Sequence, residues 1–574
     1  TLPARFTIKI VAACAHAISA GALFLINPAQ VSAQTIAPTT LPQGGVVTQG
    51  AATLQGAGSS AAPVLNVNQT SQRAVINWNT FNLGSASTVN FNQPNAQSAT
   101  LNRVLDMNPS QIFGHINAPG QVTLINPAGV YFSPSAVLDV GALTASTLNQ
   151  TDADFMAGTA RFHRNGSIAS VTNEGTLKAA DTIALLAPEV RNQGTITASA
   201  VVMAAGESIQ LQFDPFSRLA SISVTPSQIA TLVENKTAVL APGGQIILSA
   251  TALSGLQASV IHSGQINASS LTAKGGRIVL EGDSIQLSAG SSLNARGATG
   301  GGTVLVGGDW QGSGSMVQAT TVNLAQGASI DASATHSGDG GKVVLWSDVY
   351  NANGSTTVNG RVTANGIAAG GQVETSGHTV VMDTAQVQAG GQGSAGLWLI
   401  DPYNYTIGAG QASTISASLS AGTSVTVDTS LDVPATGSSG NVGDAGNIAV
   451  NANITKTGGV DSTLTLRAHN DIEVASNVAI SATTNRLNVV FNSDLDGSGA
   501  GAILLNTGSS ITSNGGDITL GGGAAGDGSG NAHGSAANPD GIKLSGATVN
   551  AGGGNVALRG TGANARKGIQ LDSS

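Results

Sequence analysis

The sequence predicts an all-β protein that folds as a parallel β-helix, a solenoid in which short strands stack coil upon coil. Three observations favour this class: a composition rich in glycine and poor in charge, an almost complete lack of helical periodicity, and internal repeats with alternating apolar positions. Such alternation is typical of strands with one buried face, and repetition at a short period is typical of solenoids. Together they indicate a long, thin core repeated along an axis.

The composition excludes several classes of protein. Charged residues make up 9% and aromatic residues 3% of the chain, and 76 of the 574 residues are glycine. Ordinary soluble domains carry about 25% charged residues, and their share of glycine is about half that of this chain. Apolar residues at 41% and a mean hydropathy of +0.15 argue against a disordered polar chain. The net charge of −9, without a run of Lys or Arg, gives no reason to expect a nucleic-acid partner.

Two repeats support stacked coils. Residues 171–177 (VTNEGTL) return as residues 190–196 (VRNQGTI), an offset of 190 − 171 = 19 residues. A second pattern, Gly-Gly-X-Ile/Val-X-Leu/Val, starts at glycines 243, 275, 301, 340, 515 and 553, with a variant at 370. Glycine permits a tight corner and the alternating aliphatic residues point inward. Asparagine at a corner can form side-chain ladders between coils.

A β-sandwich is the alternative fold, and a short helix is the one departure from strands that the sequence suggests. A β-sandwich also has short strands and glycine turns, but the aromatic content is low for a broad sandwich core, and a 19-residue repeat is short for a series of hairpin-built domains. Residues 226–234 (PSQIATLVE), which begin with Pro and Ser, are predicted as the one short helix.

The N-terminal segment reads as a secretion signal. Arg5 and Lys9 precede an apolar run over residues 10–26, and small residues lead up to Ala33. This pattern predicts cleavage by signal peptidase after Ala33. The box at 11–14 that ends in Cys14 would suggest lipidation, but it lies at the start of the apolar run rather than at its end. Cys14 is the only cysteine, so the cleaved chain needs no disulfide.

Six ordered blocks over residues 77–147 resemble the N-terminal secretion domain of the filamentous haemagglutinin family, which is exported by two-partner secretion. The blocks are NWNTFNLG (77–84), VNFNQP (89–94), LNRV (101–104), PSQIFG (109–114), INPAGVYF (125–132) and VGALTAST (140–147). Downstream segments at 304–312, 340–347, 373–378 and 398–402 are similar to the high-molecular-weight adhesins of this group.

The resemblance implies a right-handed parallel β-helix with an N-terminal cap. It also implies export through an outer-membrane β-barrel transporter that recognises the chain with periplasmic receptor domains. The family's Asn-Pro-Asn-Gly-Ile element falls on Asn126, Pro127, Gly129 and their neighbours, where Ala128 and Val130 depart from it. The secretion motif implied by the resemblance therefore comprises Asn126, Pro127 and Gly129, together with residues 102 and 103, Asn and Arg.

The expected domains follow from these patterns. Residues 1–33 form the signal peptide, and residues 34–250 form the two-partner secretion (haemagglutination-activity) domain. Residues 251–395 form β-helix repeats, and residues 396–574 form further repeats, which the interrupted pattern at Ser574 predicts to continue in a longer chain.

The sequence is compatible with three functions: a secreted or cell-surface adhesin, the carrier rod of a C-terminal toxin module, and a β-helical polysaccharide lyase. The adhesin is favoured, with cell-surface receptors or glycans as partners and no catalytic, cofactor or metal site. A lyase needs a cluster of carboxylates for calcium with a Lys or Arg nearby, and the nearest candidate group is Asp331, Asp339 and Asp348 with Lys342. Residues 492–497 (NSDLDG) open like a calcium loop, but residue 503 is Ile where an EF-hand has Glu.

Overall fold

The structure, a computed structural model, describes residues 36–215, 218–429 and 446–573. Within the compact unit that begins at Ala37, the chain passes through three sheets in turn, so that successive coils add successive parallel strands to each sheet. Inward residues of all three sheets meet in one continuous apolar core. The predicted parallel β-helix is confirmed.

The main sheet runs through almost the whole unit. Spatial neighbours in it are successive coils, and the pairs are parallel from the second strand onward. Its 18 strands in the described ranges are Val46–Gln49, Arg73–Trp78, Ala99–Val104, Gln121–Ile125, Ala142–Ser146, Thr182–Leu186, Ala200–Ala205, Gln245–Ala250, Arg277–Glu281, Thr303–Val306, Lys342–Trp346, Gln372–Gly377, Gly396–Pro402, Thr423–Asp428, Ser462–Arg467, Leu487–Ser493, Ile518–Gly522 and Val556–Leu558.

Two further sheets complete the coils up to about residue 390. The second sheet contains Ser110–Ile112, Val130–Phe132, Ser170–Asn173, Glu189–Asn192, Thr231–Asn235, Ala258–His262, Ser284–Leu287, Thr321–Leu324, Ser355–Val358 and Thr379–Val381. The third sheet contains Ala52–Ser59, Ala62–Gln69, Thr88–Asn92, His115–Asn117, Val137–Val140, Thr176–Ala179, Thr195–Thr197, Ala238–Leu240, Gln265–Asn267, Ser292–Asn294, Ser329–Asp331, Arg361–Thr363 and Gln386–Gln388.

The N-terminal end is closed by antiparallel pairs, as expected for a cap. Strand Val46–Gln49 pairs antiparallel with Arg73–Trp78, and Ala52–Ser59 forms a hairpin with Ala62–Gln69. Antiparallel strands cannot continue a parallel stack, so the hairpin covers the first coil. This cap protects an edge that would otherwise offer unpaired backbone groups to other chains.

A 12-residue helix, Ala409–Ser420, interrupts the third sheet. It packs on the last strand of that sheet, where the hydroxyl of Thr414 donates to Ala385 O (3.1 Å) and the hydroxyl of Ser418 donates to Val387 O (2.7 Å). These hydroxyls satisfy carbonyl oxygens that the next strand would have paired. The helix was not predicted, although Ala412, Ile415 and Leu419 form its buried face.

From Tyr405 onward, just before the helix, the coils continue with new side sheets. One contains Tyr405–Ile407, Ile448–Val450, Ile472–Val474, Ile503–Leu505, Ile542–Ser545 and Ile569–Asp572. Another contains Ile454–Lys456, Ala479–Ala482, Ser510–Thr512 and Thr548–Asn550, and a short pair is formed by Ala532–His533 and Gly560–Thr561.

The Gly-Gly pattern occupies equivalent positions in successive coils. Gln245, Arg277, Thr303, Lys342 and Gln372 each follow the second glycine of a pair, and they are in register across the main sheet. The aliphatic residues of the pattern are buried in the core in the copies that start at glycines 243 to 515, as predicted, whereas Val556 of the last copy is exposed. The second glycines stack on one another, and this contact sets the width of the corner.

The 19-residue repeat stacks in register and carries a buried asparagine ladder. Asn173 Nδ2 donates to Asn192 Oδ1 (2.8 Å), and Asn192 Nδ2 donates to Asn235 Oδ1 (2.7 Å). Asn235 Nδ2 lies 3.1 Å from His262 Nδ1, and His262 Nε2 lies 3.2 Å from Ser292 O. Burial lowers the pKa of His262 to about 4, so the ring is neutral and donates through Nε2. The side-chain ladder expected from the sequence is present.

The predicted helix at residues 226–234 is wrong. Residues 231–235 instead form strand Thr231–Asn235, which pairs in parallel with Glu189–Asn192 and Ala258–His262. Val233 is buried in the core and Asn235 continues the ladder. Packing between coils therefore outweighs the local helix signal of Pro226 and Ser227.

Candidate secretion motif

Asn126 forms a turn at the end of strand Gln121–Ile125. Its side chain is fully buried, and its Oδ1 accepts from the backbone N–H of Ala128 (2.9 Å). Its Nδ2 donates to Asn108 O and to Ser110 Oγ, both at 3.0 Å. The Asn126 carbonyl accepts from the Gly129 N–H at 3.0 Å. One asparagine thus closes its own turn and joins it to the preceding coil.

The turn survives the departure from the family pattern at Ala128. Only the backbone N–H of Ala128 bonds to Asn126, so a side chain is not needed there. Gly129 has φ +127°, a conformation that L side chains rarely adopt, and it leads directly into strand Val130–Phe132. Pro127 is exposed, and its carbonyl accepts from the Ser167 hydroxyl at 2.8 Å.

Asn102 lies inside the β-helix rather than on its surface. Its Oδ1 accepts from the indole N–H of Trp78 (3.0 Å), and its Nδ2 donates to Thr123 O (3.3 Å). Both side chains are buried. Because a buried indole N–H needs an acceptor, Asn102 satisfies a polar group that would otherwise destabilise the first coils.

Arg103 points outward and fastens a helix to the main sheet. Its Nη1 lies 2.6 Å from Asp152 Oδ1, at the start of helix Asp152–Ala157, and its Nη2 donates to Gln150 O at 2.7 Å. The helix is capped at its N-terminus by Thr151, whose hydroxyl accepts from Asp154 N. Arg103 is also in register with Ile125, the residue before Asn126.

The five predicted motif residues therefore lie on strand Ala99–Val104 and in the turn after the neighbouring strand Gln121–Ile125, and they do not share one set of contacts. Asn102 bonds inside the core, Arg103 bonds to the outer helix, and Asn126 bonds within its turn. Pro127 is the exposed member of the set. Whether they act as the secretion motif stays a prediction. Ala33 and the predicted signal peptide lie outside the described residues.

Sequence reasoning missed a second layer over the main sheet. A cover sheet made of Ala160–His163, Ser208–Phe213 and Leu219–Thr225, with helix Asp152–Ala157, lies on the outer face of the main sheet. It buries a second core whose fully or nearly fully buried members include Val75, Leu101, Ile125, Leu148, Phe155, Phe162, Ala184, Leu186, Val202, Ala204, Ile209 and Leu211. The sequence contains a signal for this layer, because strands such as Thr182–Leu186 and Ala200–Ala205 are apolar on both faces instead of alternating with polar residues.

The proposed lyase residues do not converge. Lys342 is the first residue of strand Lys342–Trp346 and Asp348 follows that strand, so the two lie about 20 Å apart along an extended chain. Asp331 lies 3.5 Å from Arg296, and Asp339 accepts from the N–H of Ala369. Among the described residues, no three His, Cys, Asp or Glu side chains are grouped as metal ligands.

The calcium-like loop is closed by its own carboxylate. Asp494 is fully buried, and its Oδ1 accepts from the backbone N–H groups of Gly499 (3.0 Å) and Ala500 (3.3 Å). Its Oδ2 lies 2.7 Å from His533 Nδ1. Asp494 therefore acts as a structural cap of this corner. In the ranges that the structure describes, no helix is long and apolar enough to span a membrane.

Comparison with known proteins identifies relatives of the N-terminal half. Residues 39–295 match the family model described as the TPS secretion domain. A heme/hemopexin-binding protein of Haemophilus influenzae strain Rd is 30% identical over 265 residues, covering 44% of this chain and 28% of that protein. A second heme/hemopexin-binding protein of Haemophilus influenzae is 26% identical over 259 residues, covering 41% and 28% respectively. The chain thus spans less than a third of these curated relatives.

A solved structure is also similar. The crystal structure of the HMW1 secretion domain from Haemophilus influenzae has 28% sequence identity and a TM-score of 0.49, covering 63% of this chain and all of that one.

Proposed function

We propose that the chain is a two-partner secretion exoprotein that acts as a surface adhesin, because its residues 39–295 match the TPS secretion domain. In this proposal the chain is secreted, and its partner in export is an outer-membrane transporter, as the match to the secretion domain implies. The proposed role is attachment to host cells, to other bacteria or to surface glycans, without catalysis. The toxin-carrier alternative would use the same coils to present another module.

The observation that carries this proposal is the repetition of polar groups on the outer faces. On the third sheet, Asn90 Nδ2 donates to Asn66 Oδ1 (3.2 Å) and Asn117 Nδ2 donates to Asn90 Oδ1 (3.0 Å), coil after coil. Asn68 and Asn92 form a parallel exposed pair (2.7 Å). Repeated shallow hydrogen-bonding groups suit multivalent binding, in which many weak contacts produce avidity.

Export is proposed to depend on the secretion motif through folding as well as through contact. Asn102 and Asn126 are buried, so they contribute by closing the first coils. Pro127 is exposed and is available to the periplasmic receptor domains of the transporter. In this proposal the motif couples recognition of the chain to formation of the β-helix.

A second candidate function is binding of heme or hemopexin, which is favoured by the similarity of residues in the N-terminal half to two heme/hemopexin-binding proteins. Titration of the secreted chain with hemin tests it. A saturable Soret band at one hemin per chain would support heme binding. Absence of both that band and hemopexin capture would remove this candidate.

The adhesin proposal is tested by deleting the gene and scoring attachment and aggregation, with the restored gene as control. Loss of attachment that the restored gene reverses is the expected result. In parallel, the secreted chain is incubated with acidic polysaccharides and calcium. Unchanged attachment together with polysaccharide cleavage would replace the adhesin by the lyase.

A further inference from the structure

A groove with a basic lining opens beside the cover sheet. Its volume is about 690 Å³, and its charged lining residues are Arg218, Lys274, Arg277 and Asp181. Arg218 comes from the loop before a cover-sheet strand, whereas Lys274 and Arg277 flank one Gly-Gly pair of the β-helix. The fold thus brings together cations that lie more than 50 residues apart, which the sequence does not reveal as a cluster.

The groove runs along the stack of coils. Ala200, Gln245, Arg277 and Thr303 line it and are in register on four successive strands of the main sheet. Three steps of about 4.8 Å make this row about 14 Å long. An elongated site of this kind suits a segment of a polymer better than a single small ion.

The floor of the groove is made of glycine. Gly243, Gly244, Gly275 and Gly276 line it, and none of them has a side chain to block a ligand. Packing requires Gly244, Gly275 and Gly276, because a Cβ on any of them would lie 2.1 Å or less from a backbone carbonyl oxygen. The close packing between coils therefore keeps side chains off these positions, so the groove floor presents glycine backbone to a bound molecule.

Among the described residues, the cations of the groove lack ion pairs, although the charge of Arg218 acts on the nearby Asp181 and favours its ionised form. Arg218, Lys274 and Arg277 are exposed, and none of them forms an ion pair with a carboxylate in the part of the chain that the structure describes. Asp181 is the one acidic residue of the lining, and its burial raises its pKa. In a chain of net charge −9, this is a local excess of positive charge.

We propose that this groove binds sulfate or phosphate groups carried by an anionic polysaccharide. Guanidinium groups form paired hydrogen bonds to such oxyanions, and Lys274 adds a point charge. Gln245, Ser199 and Thr303 offer amide and hydroxyl groups to the sugar hydroxyls. A nucleic-acid strand is disfavoured because the lining contains no aromatic side chain for bases to stack on.

This inference goes beyond export, and it rests on the proposed attachment function by naming a ligand class and a site for it. The site lies within the residues that match the secretion domain, except for Thr303 at its far end. Export and attachment would therefore be carried by overlapping parts of the chain.

The test measures binding by calorimetry with the secreted chain. The probes are a fully sulfated heparin octasaccharide, its desulfated form, and a phosphorylated oligosaccharide of similar length. The variant is R218S/K274S/R277S, and the control is R361S/R486S/R566S, which removes the same charge from exposed, unpaired arginines elsewhere in the described residues. Circular dichroism confirms that both variants fold.

We expect the parent chain to bind at least one charged probe, more weakly at high salt. The groove variant should lose about tenfold in affinity and the control less than about twofold. Preference between the sulfated and phosphorylated probes identifies the natural group. Equal loss in both variants, equal affinity for the desulfated probe, or no binding of any probe overturns the proposal.

Attachment by cells that carry the groove variant separates this inference from the proposed function. If gene deletion abolishes attachment but the groove variant keeps it, the groove proposal fails and the adhesin stands. If gene deletion leaves attachment intact while calorimetry shows groove binding, the adhesin fails and the site remains.

Discussion

Single glycines are retained where two coils touch through their backbones. The N–H of Gly302 donates to Ala295 O, and the Gly302 carbonyl accepts from the backbone N–H of Lys342. A Cβ on Gly302 would lie 2.3 Å from the carbonyl oxygen of Gly276, and one on Gly341 would lie 2.1 Å from that of Gly302. The column leaves no room for a methyl group.

Substitution of this glycine gives the first prediction. Gly302→Ala must push two coils apart, so we expect a loss of about 1–3 kcal/mol and faster amide exchange in the flanking strands. Gly56→Ala is the matched control, because nothing lies within 4 Å of the added Cβ. Hydrogen exchange measured by mass spectrometry compares the two. Equal protection in both variants would contradict the account of the glycine column.

His262 gives a prediction about pH. Burial lowers its pKa to about 4, whereas an unfolded histidine titrates near pH ~6.5. Between these values the unfolded chain binds a proton that the folded chain does not, so stability falls as pH drops from about 6.5 to 4. The full effect is on the order of 3 kcal/mol. His262→Asn should extend the ladder and remove this slope.

The pH dependence of stability in His262→Asn must be compared with that of the parent chain, because Glu374 changes the stability with pH in the opposite direction. This carboxylate is buried, accepts from the Gln311 N–H at 2.9 and 3.0 Å, and has its pKa raised to about 7 by burial. The stability that Glu374 contributes falls as the pH rises. This effect is present in both the parent chain and the His262→Asn variant. The urea midpoint between pH 4 and 7 is the measurement, with exposed His115→Asn as control. Parallel curves for His262→Asn and the parent chain would refute the prediction.

At the same scale, part of the candidate motif could be predicted and part could not. The repeated Asn173 and Asn192 predicted a ladder because they share an offset with their apolar neighbours. The bond between Trp78 and Asn102 joins different coils without a repeat, so no local pattern indicates it. The turn at Asn126 was implied by family resemblance, and its tolerance of Ala128 follows from the backbone hydrogen bond.

Secondary-structure elements show a different limit. The short helix predicted from Pro226 and Ser227 is a strand, because the coil above and below supplies both hydrogen-bonding partners. The helix Ala409–Ser420 was missed because its alanines and serines give a weak apolar stripe. Both errors arise where tertiary packing decides between helix and strand.

The cover sheet gives the third prediction. Phe162 is 1% exposed in the second core, whereas Phe213 at the other end of the same sheet is 42% exposed. Phe162→Ala should cost about 3–5 kcal/mol and loosen the cover strands while the inner coils persist. Phe213→Ala should have little effect. Limited proteolysis followed by mass spectrometry locates the new cleavage sites, and cuts that appear first in the inner coils would contradict the two-layer description.

For the whole molecule, stacking implies that damage stays local. Ile278 is fully buried and lies between Ile246 and Val304 on adjacent coils. Ile278→Asp places an unpaired charge in the core, which costs several kcal/mol. Because each coil contacts mainly its neighbours, we expect faster exchange in strands near residue 278 and normal exchange in the cap. Uniform loss of protection would show that the coils unfold as one unit.

The overall architecture was accessible from the sequence because repetition exposes the rule that stacks the coils. The glycine pairs, the alternating apolar residues and the ladder all act between neighbouring coils. Features that depend on additions to a coil were not accessible. The cover sheet departs from the repeat, and the loop before its last strand brings Arg218 to the groove beside Arg277, which itself belongs to the repeat.

Export tests the central claim most directly. Residues 34–295, co-expressed with the cognate outer-membrane transporter, should reach the medium, and deletion of residues 77–147 should leave the product in the periplasm. Asn126→Ala should reduce secretion because it removes the bonds that close the turn, whereas Ala128→Asn should not. Quantitative immunoblots of medium and periplasm give the ratio. Secretion of the deletion product at the level of the parent fragment would contradict the assignment.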